Sequence, residues 1–104
     1  MHVTAWSNGR PTSAGAGYGV RIGKQDRDRY FDRRWSEIAV DLDGTAVPVS
    51  LSVSFWNRCS ELRSAAIGRW LLDHQLAPWH IGRPPRLVLR RVAEARFELR
   101  PDNP

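Results

Sequence analysis

Residues 12–24, Thr-Ser-Ala-Gly-Ala-Gly-Tyr-Gly-Val-Arg-Ile-Gly-Lys, set alternating glycines ahead of a short apolar run and a lysine. The pattern has the look of a phosphate cradle. A nucleotide P-loop, however, needs a helix directly after its glycines, because the helix N-terminus supplies amide donors and a favourable field to the phosphates. Here the glycines run into Tyr18 to Ile22, where Tyr18, Val20 and Ile22 share one face at strand spacing. Gly23-Lys24 is also followed by Gln25, where the P-loop has Ser or Thr. A kinase-type glycine loop does join two strands, but its metal-holding and proton-accepting residues need far more chain. The stretch is therefore a loop entering a strand, with neither ATP nor GTP binding expected. It serves either backbone conformation or close approach to a nucleic-acid backbone, where a side chain would clash.

Strand patterns continue on both sides. Val3 to Trp6 forms a short strand and Ser7-Asn8-Gly9-Arg10-Pro11 is turn chemistry. Asp26 to Arg34 is polar, with one or two helical turns expected around Tyr30 and Phe31. Ile38, Val40 and Leu42 alternate with Glu37, Ala39 and Asp41, Asp43-Gly44 signals a hairpin, and Val47, Val49 and Leu51 carry the return. Pro48 removes a donor from that return strand, which points to an edge position. A final pair spans Arg86 to Val92 and Arg96 to Arg100.

One amphipathic helix stands out. Ser60 is its expected N-cap, with Glu61 in the first turn. Leu62, Ala66, Ile67, Trp70, Leu71 and His74 form the apolar face, Arg63, Ser64, Arg69 and Asp73 the polar one, and Pro78 ends it. So little helix cannot cover an open sheet. The expected fold is α+β, mainly β: a small open or pseudo-barrel of five to six short strands, one amphipathic helix and a short helical turn.

Composition bounds the function. The 104 residues suffice for a single domain, residues 1–104, with one modest core. No apolar run approaches the roughly 18 residues of a membrane span, and Met1 to Gly9 lacks the basic start and apolar middle of a signal peptide. The single cysteine, Cys59, fits a reducing, cytoplasmic setting and reads as a partly buried thiol. Sixteen basic residues face eleven acidic ones, giving +5, and fifteen of the sixteen are arginine. A GC-rich genome, as in many prokaryotes, explains the arginine-to-lysine ratio but not the excess over acids. A small basic domain attracts polyanions, chiefly nucleic acid.

Other chemistry is sparse. His2, His74 and His80 lack metal-ligand spacing with Cys59 or with one another, and His74 reads as a satisfied core residue. His80 lies beside Trp79 in a loop. A nuclease needs acids and a lysine converging on a metal; only Asp41, Asp43 and Lys24 offer that, and the expectation is no catalytic residue, no metal and no cofactor. Phe55-Trp56-Asn57-Arg58 lies between a strand and the helix, outside any regular period. One aromatic is expected to plug the core. The other would join Asn57 and Arg58 as a stacking surface, an adenine-reading amide and a guanine- or phosphate-gripping guanidinium, unless all four merely close the core and cap the helix.

The order of strand, short helix, strand, Asp-Gly turn, strand, loop, helix with "IGRWLL", then "APWHIGRPPRLVLRRV" and a last strand resembles DNA-binding pseudobarrels, from Tyr18 to Leu99. These are the plant auxin-response-factor type and the effector domains of some restriction endonucleases. Gln75-Leu76 and Gly82-Arg83 stand where that family leads from helix to strand, although Arg83 replaces its usual acidic residue and the Trp79 loop is longer. The resemblance implies two arms on one side of the barrel gripping the DNA major groove, here Asn8 to Tyr18 and Trp56 to Arg58. The candidate nucleic-acid contacts are thus Asn8, Arg10, Ser13, Tyr18, Lys24, Trp56, Asn57 and Arg58. Duplex DNA is the favoured partner. An RNA or single-strand binding barrel and a protein-interaction subunit remain as alternatives.

Overall fold

Alternation along the strands determines which side chains turn inward. Val3 and Ala5, Tyr18 and Val20, Ile38, Val40 and Leu42, Leu87 and Leu89, and Phe97 and Leu99 are buried, and apart from Val88 the residues between them are polar or small. The computed structural model describes residues 1–102. Its elements are β1 (His2–Ser7), β2 (Tyr18–Arg21), α1 (Lys24–Tyr30), β3 (Glu37–Leu42), β4 (Thr45–Ser50), α2 (Val53–Asn57), β5 (Glu61–Arg63), α3 (Ala65–Asp73), β6 (Arg86–Ala93) and β7 (Arg96–Pro101). The strands form one sheet in the order β4-β3-β7-β6-β1-β2-β5, antiparallel except for β3 beside β7. The two ends of that row, β4 and β5, come back into contact, giving a nearly closed barrel. This is the mainly-β, α+β architecture expected.

The hairpin signal was sound. Asp43 and Gly44 take φ of 53° and 87°, as a two-residue turn between Leu42 and Thr45 demands. Pro48 lies in β4, at one end of the sheet. Ala39, its partner in β3, donates its N–H to Ala95 at 2.9 Å, on the β7 side. Pro48 therefore occupies a non-hydrogen-bonded pair, and its missing donor falls on the free edge.

The helices close the two mouths. At one, Phe31 stacks on Phe97 with 4.6 Å between ring centroids and packs against Phe55 at 5.2 Å. Arg27 of α1 is buried there and donates to the carbonyls of Phe55 and Trp56 at 3.2 and 3.0 Å, which ties α1 to the end of α2. At the other mouth, Ile67, Trp70 and Leu71 of α3 turn inward. His74 caps α3 and its Nε2 lies 2.8 Å from Asp43 Oδ2. His74 is thus a partly exposed link to the hairpin turn rather than a core residue.

Two local readings are corrected. Ser60 does not cap a helix, nor does Glu61 occupy a first turn: both are buried, and Glu61 begins β5. The Ser60 hydroxyl donates to the Ile22 carbonyl, while Ile22 N–H donates to Ser60 O at 2.9 Å. Pairing with β2 overrides the local capping preference. The helix starts later, with Ser64 Oγ accepting from Ile67 N–H at 3.4 Å, so Leu62 and Arg63 belong to a seventh strand. The aromatic segment, for its part, is a short helix capped by Ser52, whose Oγ accepts from Phe55 N–H at 3.3 Å.

The opening glycines explain themselves here. Gly15, at φ 96°, lies against α3 at Gly68: a Cβ on Gly68 would meet Gly15 O at 1.9 Å, and one on Gly15 would meet Ala65 O at 2.3 Å. Both contacts are with backbone, so neither can yield. Gly68→Ala is expected to destabilise by about 1–3 kcal/mol through overpacking, opposite in sign to the stabilisation of up to about 1 kcal/mol that alanine brings to a free helix. Thermal denaturation reads the sign directly, and a raised melting temperature would refute the loop–helix crossing.

Candidate nucleic-acid interface

β1, β2 and β5 form one side wall of the barrel, and two rows of outward residues cross it. In the first, register aligns Trp6 with Gly19 and Gly19 with Arg63. Gly19 can only be glycine, because a Cβ would meet Leu62 O at 2.2 Å. With no side chain between them, the Arg63 guanidinium lies 4.7 Å from the centre of the Trp6 ring. In the second row Thr4 is flanked by Arg86 on β6 and Arg21 on β2, and Arg21 aligns with Glu61.

Glu61 binds the two rows together. Its side chain is only 2% exposed, and it accepts from Arg21 Nε at 3.3 Å and from Arg63 Nη2 at 3.1 Å. An isolated buried carboxylate would be strongly unfavourable; two guanidinium groups compensate it. Both arginines stay 58% exposed, so their remaining donors face outward.

The expected arms border this wall at opposite ends. Asn8 to Gly17 joins β1 to β2 at the α3 mouth, where Asn8 N–H donates to Gly17 O at 2.9 Å. Asn8 Oδ1 accepts from Arg10 N–H at 2.8 Å, fixing the turn, and Asn8, Arg10 and Ser13 are exposed. Trp56 to Arg58 enters β5 at the α1 mouth, where Asn57, Arg58 and Lys24 are exposed. Tyr18 departs from its proposed role: strand alternation turns it into the core, with its ring 5.7 Å from that of Trp79. Trp56 is not a bare platform either, since Arg33 and Arg27 lie 5.1 and 6.0 Å from its ring centre and Phe55 meets it edge-on. Phe55 is the expected core plug, and Cys59, read as partly buried, is exposed.

The arginines differ in how free they are. Arg34 donates to both oxygens of Asp32 and holds that carboxyl down at about 2. Arg96 makes a fork with Asp41, and Arg90 and Arg100 share Glu98. Among the described residues, Arg10, Lys24, Arg29, Arg58, Arg69, Arg83, Arg86 and Arg91 enter no ion pair. Of these, Arg10, Lys24, Arg58 and Arg86 border the β1–β2–β5 wall; on the β3–β7–β6 side Arg90, Arg96 and Arg100 are paired and Arg91 is not. Asp41 and Asp43 are engaged by Arg96 and His74, and among the described residues no group of three or more His, Cys, Asp or Glu could hold a metal ion. No described helix is long and apolar enough to cross a membrane.

Sequence reasoning passed over Trp6, Arg21, Arg63 and Arg86. Alternation with Val3 and Ala5 would have turned Trp6 outward, and alternation with Val20 and Ile22 would have done the same for Arg21. No family model matches the chain, and no curated protein or solved structure is significantly similar to it.

Asp43 supplies a pH test of the scaffold behind this surface. His74 hydrogen-bonds its carboxylate and lowers its pKa. A depressed carboxylate stabilises the fold above its unfolded pKa of about 3.9 and loses that contribution as pH falls through its folded value. Asp43→Asn keeps a residue suited to positive φ. It should lower stability by no more than about 1 kcal/mol at pH 7, the pair being exposed, and the difference from wild type should vanish in strong acid. An equal difference at both pH values would place the effect in the turn backbone instead.

Proposed function

We propose that this domain is a non-enzymatic duplex-DNA-binding module that engages its ligand across the β1–β2–β5 wall, with Asn8 and Arg10 at one end and Asn57 and Arg58 at the other. The observation that carries the reading is that five exposed guanidinium groups (Arg10, Arg21, Arg58, Arg63 and Arg86) lie on and around that single wall. At about 3.3 Å per residue, Tyr18 to Ile22 separates the two arms by about 13 Å, comparable to the width of about 12 Å of a B-form major groove. The element order also parallels the pseudobarrel layout that the sequence resembles, with one arm before β2 and one before β5. Phosphate contacts by arginine would hold the duplex, and Asn57 and Arg58 would face base edges.

A single-strand or RNA ligand is less well served. Trp6, Trp35 and Trp56 each carry an arginine against the ring, which competes with a base for that face. A protein partner has one specific point in its favour: Ile81 is fully exposed beside an apolar hollow lined by Pro11, Pro78 and Trp79.

Binding of a fluorescent duplex should weaken roughly 10-fold or more between about 50 and 200 mM salt, from release of counterions by even a few neutralised phosphates. Arg58→Ala should cost about 1–3 kcal/mol of affinity if Arg58 reads a base, and leave the melting temperature nearly unchanged. Arg96→Ala, on the far side of the barrel, is the control and should change binding little. Arg69 would be a poor control, because it donates to Ala14 O in the first arm at 3.3 Å. Absence of duplex binding at low salt would end this reading, and equal losses from Arg58→Ala and Arg96→Ala would reduce it to diffuse electrostatics.

A further inference from the structure

We infer that Arg63 is the specificity-determining residue of the wall, reading a guanine in the duplex, and that Trp6 and Glu61 are positioning residues acting through it. The inference rests on the duplex-binding reading above and narrows it to one base contact outside both arms.

An exposed arginine on a sheet surface is ordinarily a mobile cation that suits any phosphate. Arg63 is restrained in two independent ways. Its guanidinium lies against the Trp6 ring at 4.7 Å, which fixes the plane. Its Nη2 donates to Glu61 Oε1 at 3.1 Å, which fixes rotation within that plane. Glu61 cannot swing away, because it is buried and shared with Arg21. The space that lets Arg63 reach Trp6 exists because Gly19 lies between them and tolerates no Cβ. Sequence, register and burial thus converge on one oriented fork.

Of the five N–H donors on that fork, one is used within the described protein. The rest project from a side chain that is more than half exposed. A planar pair of donors matches the O6 and N7 acceptors of guanine in the major groove, and no other base offers two acceptors there in that arrangement. Immobilising the fork beforehand removes the entropy that a free arginine loses on pairing. A phosphate also accepts a bidentate arginine pair, so a preference for one base, and not affinity alone, distinguishes the two contacts.

Selection from a randomised duplex pool, followed by binding measurements on the selected sequence, tests this. Wild type should enrich a guanine at one position, and replacing that guanine, or substituting 7-deazaguanine to delete N7, should weaken binding about 5- to 100-fold. Arg63→Met keeps much of the side-chain length and removes every donor. It should abolish the preference at that position alone, so that guanine and 7-deazaguanine duplexes bind it equally. Trp6→Leu should erode the same preference, while Arg21→Lys, which shares Glu61 but not the indole, should preserve it. These readouts are ratios between duplexes, which a change in stability alone would not move. If Arg63→Met retains the wild-type guanine preference, Arg63 does not read the base and the inference fails while duplex binding stands. If wild type binds no duplex at about 50 mM salt, both fall together.

Discussion

The pairing of β5 with β2 is the contact through which the rest of the molecule is assembled. β5 has three residues, yet its neighbours reach both mouths of the barrel. Ser60 is bonded to Ile22 beside α1 and α2, and Ser64 caps α3 at the opposite end. Leu62 is fully buried between them, and Glu61 collects two arginines from the outer face. Loss of this pairing would free α2, release α3 from Gly15 and expose the carboxylate at once. A strand of this length has few bonds of its own, so its position depends on side chains. The approach that excludes a Cβ at Gly19 is the geometric sign of that dependence.

Much of the scaffold is legible in the sequence because its signals are local. The β3–β4 hairpin follows from strict alternation and from Asp43-Gly44; the apolar face of α3 follows from Ile67, Trp70 and Leu71 at helical spacing. β5 and α2 are not legible, for the same physical reason. Three residues cannot establish a period, and Ser60-Glu61 carries a capping pattern that only a partner some forty positions away can overrule. Val53 to Asn57 is likewise too short to show a period, and the Ser52 cap makes it a helix. Arg27 gave no sequence signal of burial in a polar segment; it is drawn inward by the unpaired carbonyls at the end of α2.

The candidate site divides along the same line. Asn8 and Arg10 lie in a connection, Asn57 and Arg58 at the end of α2, and all four are exposed, whereas Tyr18, the first residue of β2, is taken by the core. The wall is not legible because its outward residues come from three strands separated in sequence. Arg63 could not be placed while β5 was read as helix. Charge counting found the basic excess but not its distribution, which depends on which acids lie within reach: Asp32, Asp41 and Glu98 silence arginines away from the wall, while Glu61 orients the two it touches without covering them.

Pro48 has a meaning beyond local geometry. An incompletely closed sheet leaves a row of backbone donors and acceptors along β4, and such a row is a template on which another extended chain can polymerise. With the proline nitrogen on that side, the row is broken near its middle. At high local concentration copies of the barrel meet often, and the broken row keeps them from knitting into a common sheet.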